Sequence, residues 1–483
     1  MKLERIIIEG FRGYQERREI SVGQLTALIG QNDVGKSTVL DALDAFFNDV
    51  VEVEDVNTRQ NGERFCIGCI FSNLPDSINL DTQSVTTLQD EYLLNRDNKL
   101  ELYKVWKATN TKAETEQIFA RAYAPTAPDA RDLLFKKRYE LKAIVEQQGL
   151  DADKRRNPDM RRAIYRHLEA QGRLDLQDRN VDLDRPKNRE DQFEDARRIW
   201  KKLSDRHLPV YNLFKAEQVQ GDKEKTVRSP LDVTLKNAIK ELDAELSEIA
   251  ERVEQEVKAT TDRTLERLRR DYPEVARSLT PHYKRPTWSK AFDLDVLRGD
   301  DDVPLNKRGA GVRRLVVLAF FQAEAEKKRH ERAEGVAVPP VIYAIEEPET
   351  SQHPDFQRNI IQAFEALADA GDQVLVTTHV PGLAELLPTD SIRFIDRLEG
   401  SSTPRIRSGQ NDTTVLAEAA RSLGVLPNTL PARGARIAVW VEGETDVWVL
   451  DALAEKLADT GELEVFRLPR RLWRLDDQAA MAA

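Results

Sequence analysis

Apolar residues near the N-terminus come in short runs of strand length. LERIIIEGF, LTALIG and RFCIGCIFS are apolar stretches bounded by turn or charged residues, the pattern of buried strands, and ELYKVWKAT predicts one more. KSTVLDALDAFF, directly after LTALIG and its glycine-rich loop, spaces its apolar residues as a helix does. From about residue 110 the pattern becomes charged and amphipathic, and ARDLLFKKRYELKAIVEQQ and DMRRAIYRHLEAQ predict helices. Leu235, Ile239, Leu242, Leu246, Ile249 and Val253 step by 4, 3, 4, 3, 4, a coiled-coil seam within the chain or between subunits. Pro273, Pro281 and Pro286 punctuate the exit from this region. Strand patterning returns at VIYAIEEPE and QVLVTTH, with helices before and between them. A polar link, EGSSTPRIRSGQNDTT, and a Pro/Gly-rich link, GVLPNTLPARGA, flank a short helix. RIAVWVE, a helix to about Ala458 and LEVFRLP close the chain.

This order predicts an α/β fold interrupted by a long helical and coiled-coil insertion, with a further α/β element at the C-terminus. The expected boundaries are an N-terminal lobe at 1–107, the insertion at 108–290, a second lobe at 291–397, a linker at 398–435 and a terminal element at 436–483.

Composition changes the picture in three places. The 483 residues are 40% hydrophobic and 33% charged, the balance of a globular chain with long exposed helices. The net charge of −11 excludes whole-molecule attraction to nucleic acid, so any such contact must come from a local basic patch. The two cysteines, Cys66 and Cys69, supply no disulfide framework. Three apart on a strand, they point to opposite faces and read as small core residues rather than a metal pair. With no apolar leader and no run of membrane-spanning length, the expectation is a soluble cytoplasmic protein.

GQNDVGKST carries the candidate chemistry. Gly30, Gly35, Lys36 and Ser37 match the phosphate-loop spacing, between a strand and a helix. Glycines let backbone N–H groups curl around phosphate oxygens, and the helix N-terminus adds positive potential. Lys36 spans the β- and γ-phosphates of ATP, Ser37 ligates Mg²⁺, and Asn32 and Thr38 complete the binding residues. Hydrolysis needs carboxylates as well. VIYAIEEPE ends in Glu346, assigned to a magnesium-bound water, and Glu347, assigned to the attacking water. His379 closes the strand VLVTTH and is a candidate γ-phosphate sensor.

Together these motifs resemble the ABC-type ATPases of DNA metabolism, the SMC/RecF-like group, and within it the OLD (overcoming lysogenisation defect) family. IIIEGFRGY resembles the opening strand, with Arg12 matching an arginine near the nucleotide. LNKRGAGVRRLVVLAFFQAE resembles the signature segment, with Gly309 and Gly311 at the close approach. IEEPE with the following HP resembles Walker B and the D-loop, although Ser351 and Gln352 depart from the usual Leu there. The resemblance implies a head-to-head dimer or another even-numbered assembly, in which one subunit's P-loop faces the other's signature.

RIAVWVEGETDVWVLDAL resembles the first strand and helix of a Toprim nuclease, and implies metal-binding roles for Glu442 and Asp446. The later Asp-x-Asp is missing: Asp476 and Asp477 are adjacent and follow no apolar strand. About half a Toprim domain is present, so the expectation is an impaired nuclease unless another chain completes it, with 436–483 less stable than the ATPase.

KKRYELK, DKRRNPDMRR and ARRIWKK are basic clusters suited to non-specific DNA contact, or else solvated helix faces with acids interspersed. The expected function is an ATP-hydrolysing protein acting on DNA, in phage defence or DNA processing. Two alternatives stay open: a working ATP-regulated endonuclease, and an ATPase sensor or scaffold controlling a separate effector protein. A membrane-transporter ATPase fits less well, given the insertion and the Toprim-like tail.

Overall fold

A computed structural model describes residues 1–56, 64–81, 84–109, 112–184, 199–215, 238–239, 242–271, 310–333, 340–348, 354–397, 403–409 and 413–422, with scattered single residues elsewhere. The chain divides into two compact units, Met1–Asn411 and Asp412–Ala483.

The strands are β1 (Lys2–Glu9), β2 (Arg18–Ser21), β3 (Leu25–Ile29), β4 (Arg64–Ser72), β5 (Ile78–Asp81), β6 (Ser84–Thr86), β7 (Leu100–Ala108), β8 (Ala113–Pro125), β9 (Leu176–Asp182), β10 (Val210–Lys215), β11 (Val341–Glu346), β12 (Gln373–Thr378), β13 (Ile392–Asp396) and β14 (Arg405–Ser408). The helices of the first unit are α1 (Lys36–Asn48), α2 (Arg138–Gln147), α3 (Asn157–Ala170), α4 (Ile199–Arg206), α5 (Asp243–Asp271), α6 (Ala310–Ala333), α7 (Pro354–Asp369) and α8 (Pro381–Leu386). In the second unit α9 (Thr413–Ser422) is described.

Among the described residues the first unit holds a small two-stranded sheet, β5-β6, and two six-stranded ones. One runs β2-β1-β4-β7-β8-β9 and is antiparallel throughout. The other runs β10-β11-β12-β3-β13-β14, parallel up to β13, with β14 antiparallel at its edge. Strands buried on both faces read as unbroken apolar runs, and LTALI, VIYAI and VLV are such runs.

α1 lies between the sheets, which is why Val39, Leu40, Ala42, Leu43, Ala45 and Phe46 are all buried rather than one stripe of them. Its apolar residues share one core with Ile6 and Ile8 of β1, Phe71 of β4, Tyr211 of β10 and Ile342 of β11. The opposite face of the parallel sheet packs on α6 and α7, where Phe321 meets Phe214, Tyr343 and Phe364 at centroid distances of 5.2, 5.6 and 5.7 Å. Lys328 of α6 is buried against Asp372 at 2.6 and 2.7 Å, and Asp372 also accepts the Val341 amide, so this polar pair is fully engaged.

The reading of 108–290 as helical needs amending. β8 and β9 extend the antiparallel sheet, and β10 forms an edge of the parallel one. In β8 the inward residues Ile118, Ala120, Ala122 and Ala124 alternate at period two, but alanine and the charged outer face imitate a helix. The helical character holds in α2–α3, a hairpin with its own small core around Leu141, Val145, Met160 and Ile164, and in α5. The polar link likewise contains β14, whose four residues are too short to show alternation. The cysteines fall as expected: Cys69 is buried in the central core, whereas Cys66 packs on the other sheet face. Burial pushes the Cys69 thiol well above its ordinary pKa and that of Cys66 to about 12.

Candidate active site

Parallel pairing sets the ends of three strands level. Glu346 of β11 is the register partner of Thr377 in β12, and Thr378 is the partner of Ile29 in β3. The loops that leave these ends therefore converge, as expected at the carboxyl edge of a parallel sheet. They carry Glu346 and Glu347, His379, and the Gly30–Gly35 turn.

The turn is held in shape by its glycines. A Cβ on Gly30 would lie 2.2 Å from the Ile395 carbonyl oxygen, so only glycine fits there. Gly35 caps α1 with φ 105°, a left-handed conformation that glycine adopts without steric cost. Its carbonyl accepts a 3.0 Å hydrogen bond from the buried Tyr14 hydroxyl, and a Cβ there would meet Tyr14 and Pro404 at 3.2 Å each. Lys36 is buried, and its ammonium donates to the carbonyls of Gly30 at 2.9 Å and Gln31 at 2.7 Å. It thus lies across the loop. Asn32 is exposed, and Ser37 and Thr38 are half-buried in the first turn of α1.

Glu347 and His379 meet: Nδ1 of the imidazole lies 2.9 Å from Oε1 of the carboxylate. The Glu347 amide donates to the Thr377 carbonyl at 3.1 Å and to its hydroxyl at 3.2 Å. These bonds hold Glu347 at φ 43°, a left-handed backbone that costs a non-glycine residue about 1–2 kcal/mol. The carboxylate is therefore aimed by its backbone and steadied by the imidazole.

Arg12, also left-handed at φ 46°, donates from Nε to Asp55 at 2.7 Å and from Nη1 to Asp41. Burial lowers its pKa, but Asp41 and Asp55 outweigh that and raise it above the ordinary value. Asp41 also accepts from Lys215 at 2.8 Å. Neither Asp41 nor Lys215 stands out in the sequence. The available signals were Asp41 one helical turn after Ser37, and Lys215 closing the apolar run VYNLF.

Gly311 lies in the first turn of α6. Gly309, the D-loop residues, Glu442 and Asp446 lie outside the described residues. Among the described residues no cluster of His, Cys, Asp and Glu forms a ready metal site. The residues that would hold Mg²⁺ are Ser37, at the start of α1, and Glu346, at the end of β11, whose hydroxyl and carboxylate are hard oxygens that suit Mg²⁺ alongside a triphosphate. The glycine-shaped cradle and the buried Lys36 fit ATP.

On the α2–α3 hairpin the basic clusters are largely neutralised. Lys142 and Lys154 pair with Glu146, Arg155 with Asp153, Arg156 with Asp159, and Arg162 with Asp90 and Asp159. Arg161 is buried in a two-point bond to Glu91, at 2.7 and 2.8 Å. A cleft of about 450 Å³ on this hairpin, lined by Asp159, Arg162, Arg166 and His167, shares no residue with the phosphate loop.

A parallel sheet with a phosphate loop at its carboxyl edge, facing a carboxylate pair and a histidine, defines a P-loop ATPase. The chain belongs to the family described as AAA ATPase domain, whose match covers residues 1–384. No curated protein matches it. Solved structures that resemble it include the SMC head domain from Thermotoga maritima, with 11% identity, 84% of this chain and 99% of that one covered, and a TM-score of 0.33. An Smc head bound to the C-winged helix domain of ScpA gives 12%, 84%, 98% and 0.36. A Pyrococcus furiosus Smc head with an extended coiled coil, bound to the C-terminal domain of ScpA, gives 13%, 86%, 98% and 0.36. No helix of the described residues is long and apolar enough to cross a membrane.

Proposed function

We propose that this ATPase is an OLD-family-like protein that self-associates and couples ATP hydrolysis to work on DNA in phage defence or DNA processing. The ATPase chemistry rests on one observation above others, the contact of Glu347 with His379 at the level of the phosphate loop. Lys36 and the loop amides hold the triphosphate of the substrate. Ser37 and Glu346 would hold Mg²⁺, which offsets charge on the β- and γ-phosphates. Glu347 orients a water and takes its proton as that water attacks the γ-phosphorus and ADP leaves. His379 steadies the carboxylate in that geometry.

Self-association is supported by α5. Ile249, Val253 and Val257 are 51, 59 and 46% exposed, a seam that a second helix would cover. Support for the OLD assignment comes from the sequence resemblance, including the Toprim-like segment with Glu442 and Asp446.

A second reading, an ATPase that controls a separate effector protein, draws on the hairpin. Lys142, Lys154, Arg155, Arg156, Arg161 and Arg162 are each engaged by a carboxylate, which leaves fewer of its cations to contact DNA phosphates. One experiment addresses both. Glu347→Gln should retain bound ATP while hydrolysis falls at least a hundredfold, within the range for removing a general base (about 10²–10⁴). In parallel, supercoiled plasmid is incubated with Mg²⁺ or Mn²⁺, with and without ATP, beside Glu442→Ala. Wild-type turnover in Glu347→Gln sinks the catalytic assignment. Nicking lost in Glu442→Ala supports the nuclease, whereas intact hydrolysis with no nicking supports the effector reading.

A further inference from the structure

Asp41 is placed where it would trouble a magnesium site. It follows Ser37 by one turn on α1, on the same side of the helix. Lys215, at the end of β10, is the register partner of Glu346 in β11. Tyr211, Leu213 and Lys215 leave β10 on the face towards α1, as the Tyr211 hydroxyl bond to the Leu40 carbonyl at 2.7 Å demonstrates. Ile342 and Ala344 face the same core, so by alternation Glu346 leaves β11 on that face too. Ser37, Asp41, Lys215 and Glu346 therefore share one side of the parallel sheet, against α1.

A bare carboxylate there would be a rival magnesium ligand. Both Asp41 oxygens are instead engaged by cations: Oδ2 accepts from Arg12 Nη1, and Oδ1 accepts from Lys215 Nζ at 2.8 Å. Arg12 is in turn braced by Asp55 at 2.7 Å, and the Asp41 side chain is only 13% exposed. The cluster ties together the loop after β1, the P-loop helix and the strand beside the Glu346 carboxylate.

We propose that Lys215 is a positioning residue for ATP hydrolysis: by occupying Asp41 together with Arg12, it keeps that carboxylate out of the magnesium shell and pins the end of β10 to the P-loop helix. This rests on the reading of Ser37 and Glu346 as the metal-side residues. Lys215 touches neither substrate nor reacting atoms in this scheme; it acts through Asp41.

The test measures Mn²⁺ binding by electron paramagnetic resonance with a non-hydrolysable ATP analogue, beside ATP turnover and thermal melting. Lys215→Ala frees one Asp41 oxygen. It should bind Mn²⁺ at least as tightly as wild type, with a changed line shape, while turnover falls roughly tenfold, as for loss of one charged hydrogen bond. Lys215→Arg should restore turnover to within about threefold of wild type. Adding Asp41→Asn to Lys215→Ala removes the rival ligand and should recover both the line shape and part of the turnover. The proposal is overturned if Lys215→Ala loses Mn²⁺ affinity and melting temperature in step with activity, if the arginine variant is as slow as the alanine, or if the two substitutions simply add. Lys36→Ala is the control: full turnover there overturns the ATPase assignment itself, a failure readily told apart from the others.

Discussion

Single residues at this site divide by whether their chemistry is local. Gly30, Gly35, Lys36 and Ser37 sit in one contiguous stretch whose spacing carries its own meaning, so the loop is legible in sequence. Asp41 and Lys215 are 174 positions apart and meet only because β10 lies against α1. The Glu347–His379 contact spans 32 positions and needs β11 and β12 side by side. Each residue was identifiable as a strand-end polar group, but their partnership was not. A prediction belongs at this scale. Gly30→Ala places a Cβ 2.2 Å from the Ile395 carbonyl, a clash with backbone that cannot turn aside. The loop must shift, and the expected outcome is at least tenfold weaker binding of a fluorescent ATP analogue with a lowered melting temperature.

At the scale of elements, what carried the reading was continuous burial. β3 and β12 are buried throughout and β11 at all but its last residue, so their apolar runs stand out, whereas β8 and β14 do not. β14 matters beyond its length. Asp396 of β13 holds Arg405 at 2.9 Å and Arg407 at 2.9 Å, and the chain just before Arg405 presents Pro404 to Gly35. Partial burial raises the Asp396 pKa, but the hydrogen bond from Arg405 and the charges of Arg407 and Arg405 outweigh it, leaving the value below the ordinary 3.8. A carboxylate depressed in the folded state contributes stability that is complete above its unfolded pKa and is lost as pH falls through the folded one. Asp396→Asn should therefore cost about 1–2 kcal/mol near neutrality, measured by denaturant unfolding. The gap between wild type and variant should close on acidification below 3.8. A gap that persisted into strong acid would mean the clamp contributes through packing alone.

For the whole molecule the open quantity is assembly. The α5 seam has apolar residues at coiled-coil spacing and presents them to solvent. Ile249→Glu with Val253→Glu places charge in any helix–helix contact there. Under the self-association reading, light scattering after size exclusion should register a shift to monomer at micromolar concentration with melting unchanged. An assembly unaffected by both substitutions would locate the contact elsewhere.

By itself the sequence determined the P-loop, the strand–helix order around it, the carboxylates at a strand end and the membership of the cysteines in a core. Each is written in neighbouring residues, through spacing or alternation. Only the tertiary structure decided that β8 and β9 extend a sheet, that α1 is buried between two sheets, that Glu347 meets His379 and that Lys215 holds Asp41. Those depend on strand order and register. These come from the packing of segments far apart in the chain, and a local pattern of apolar and polar residues carries no information about which distant strand will lie beside it.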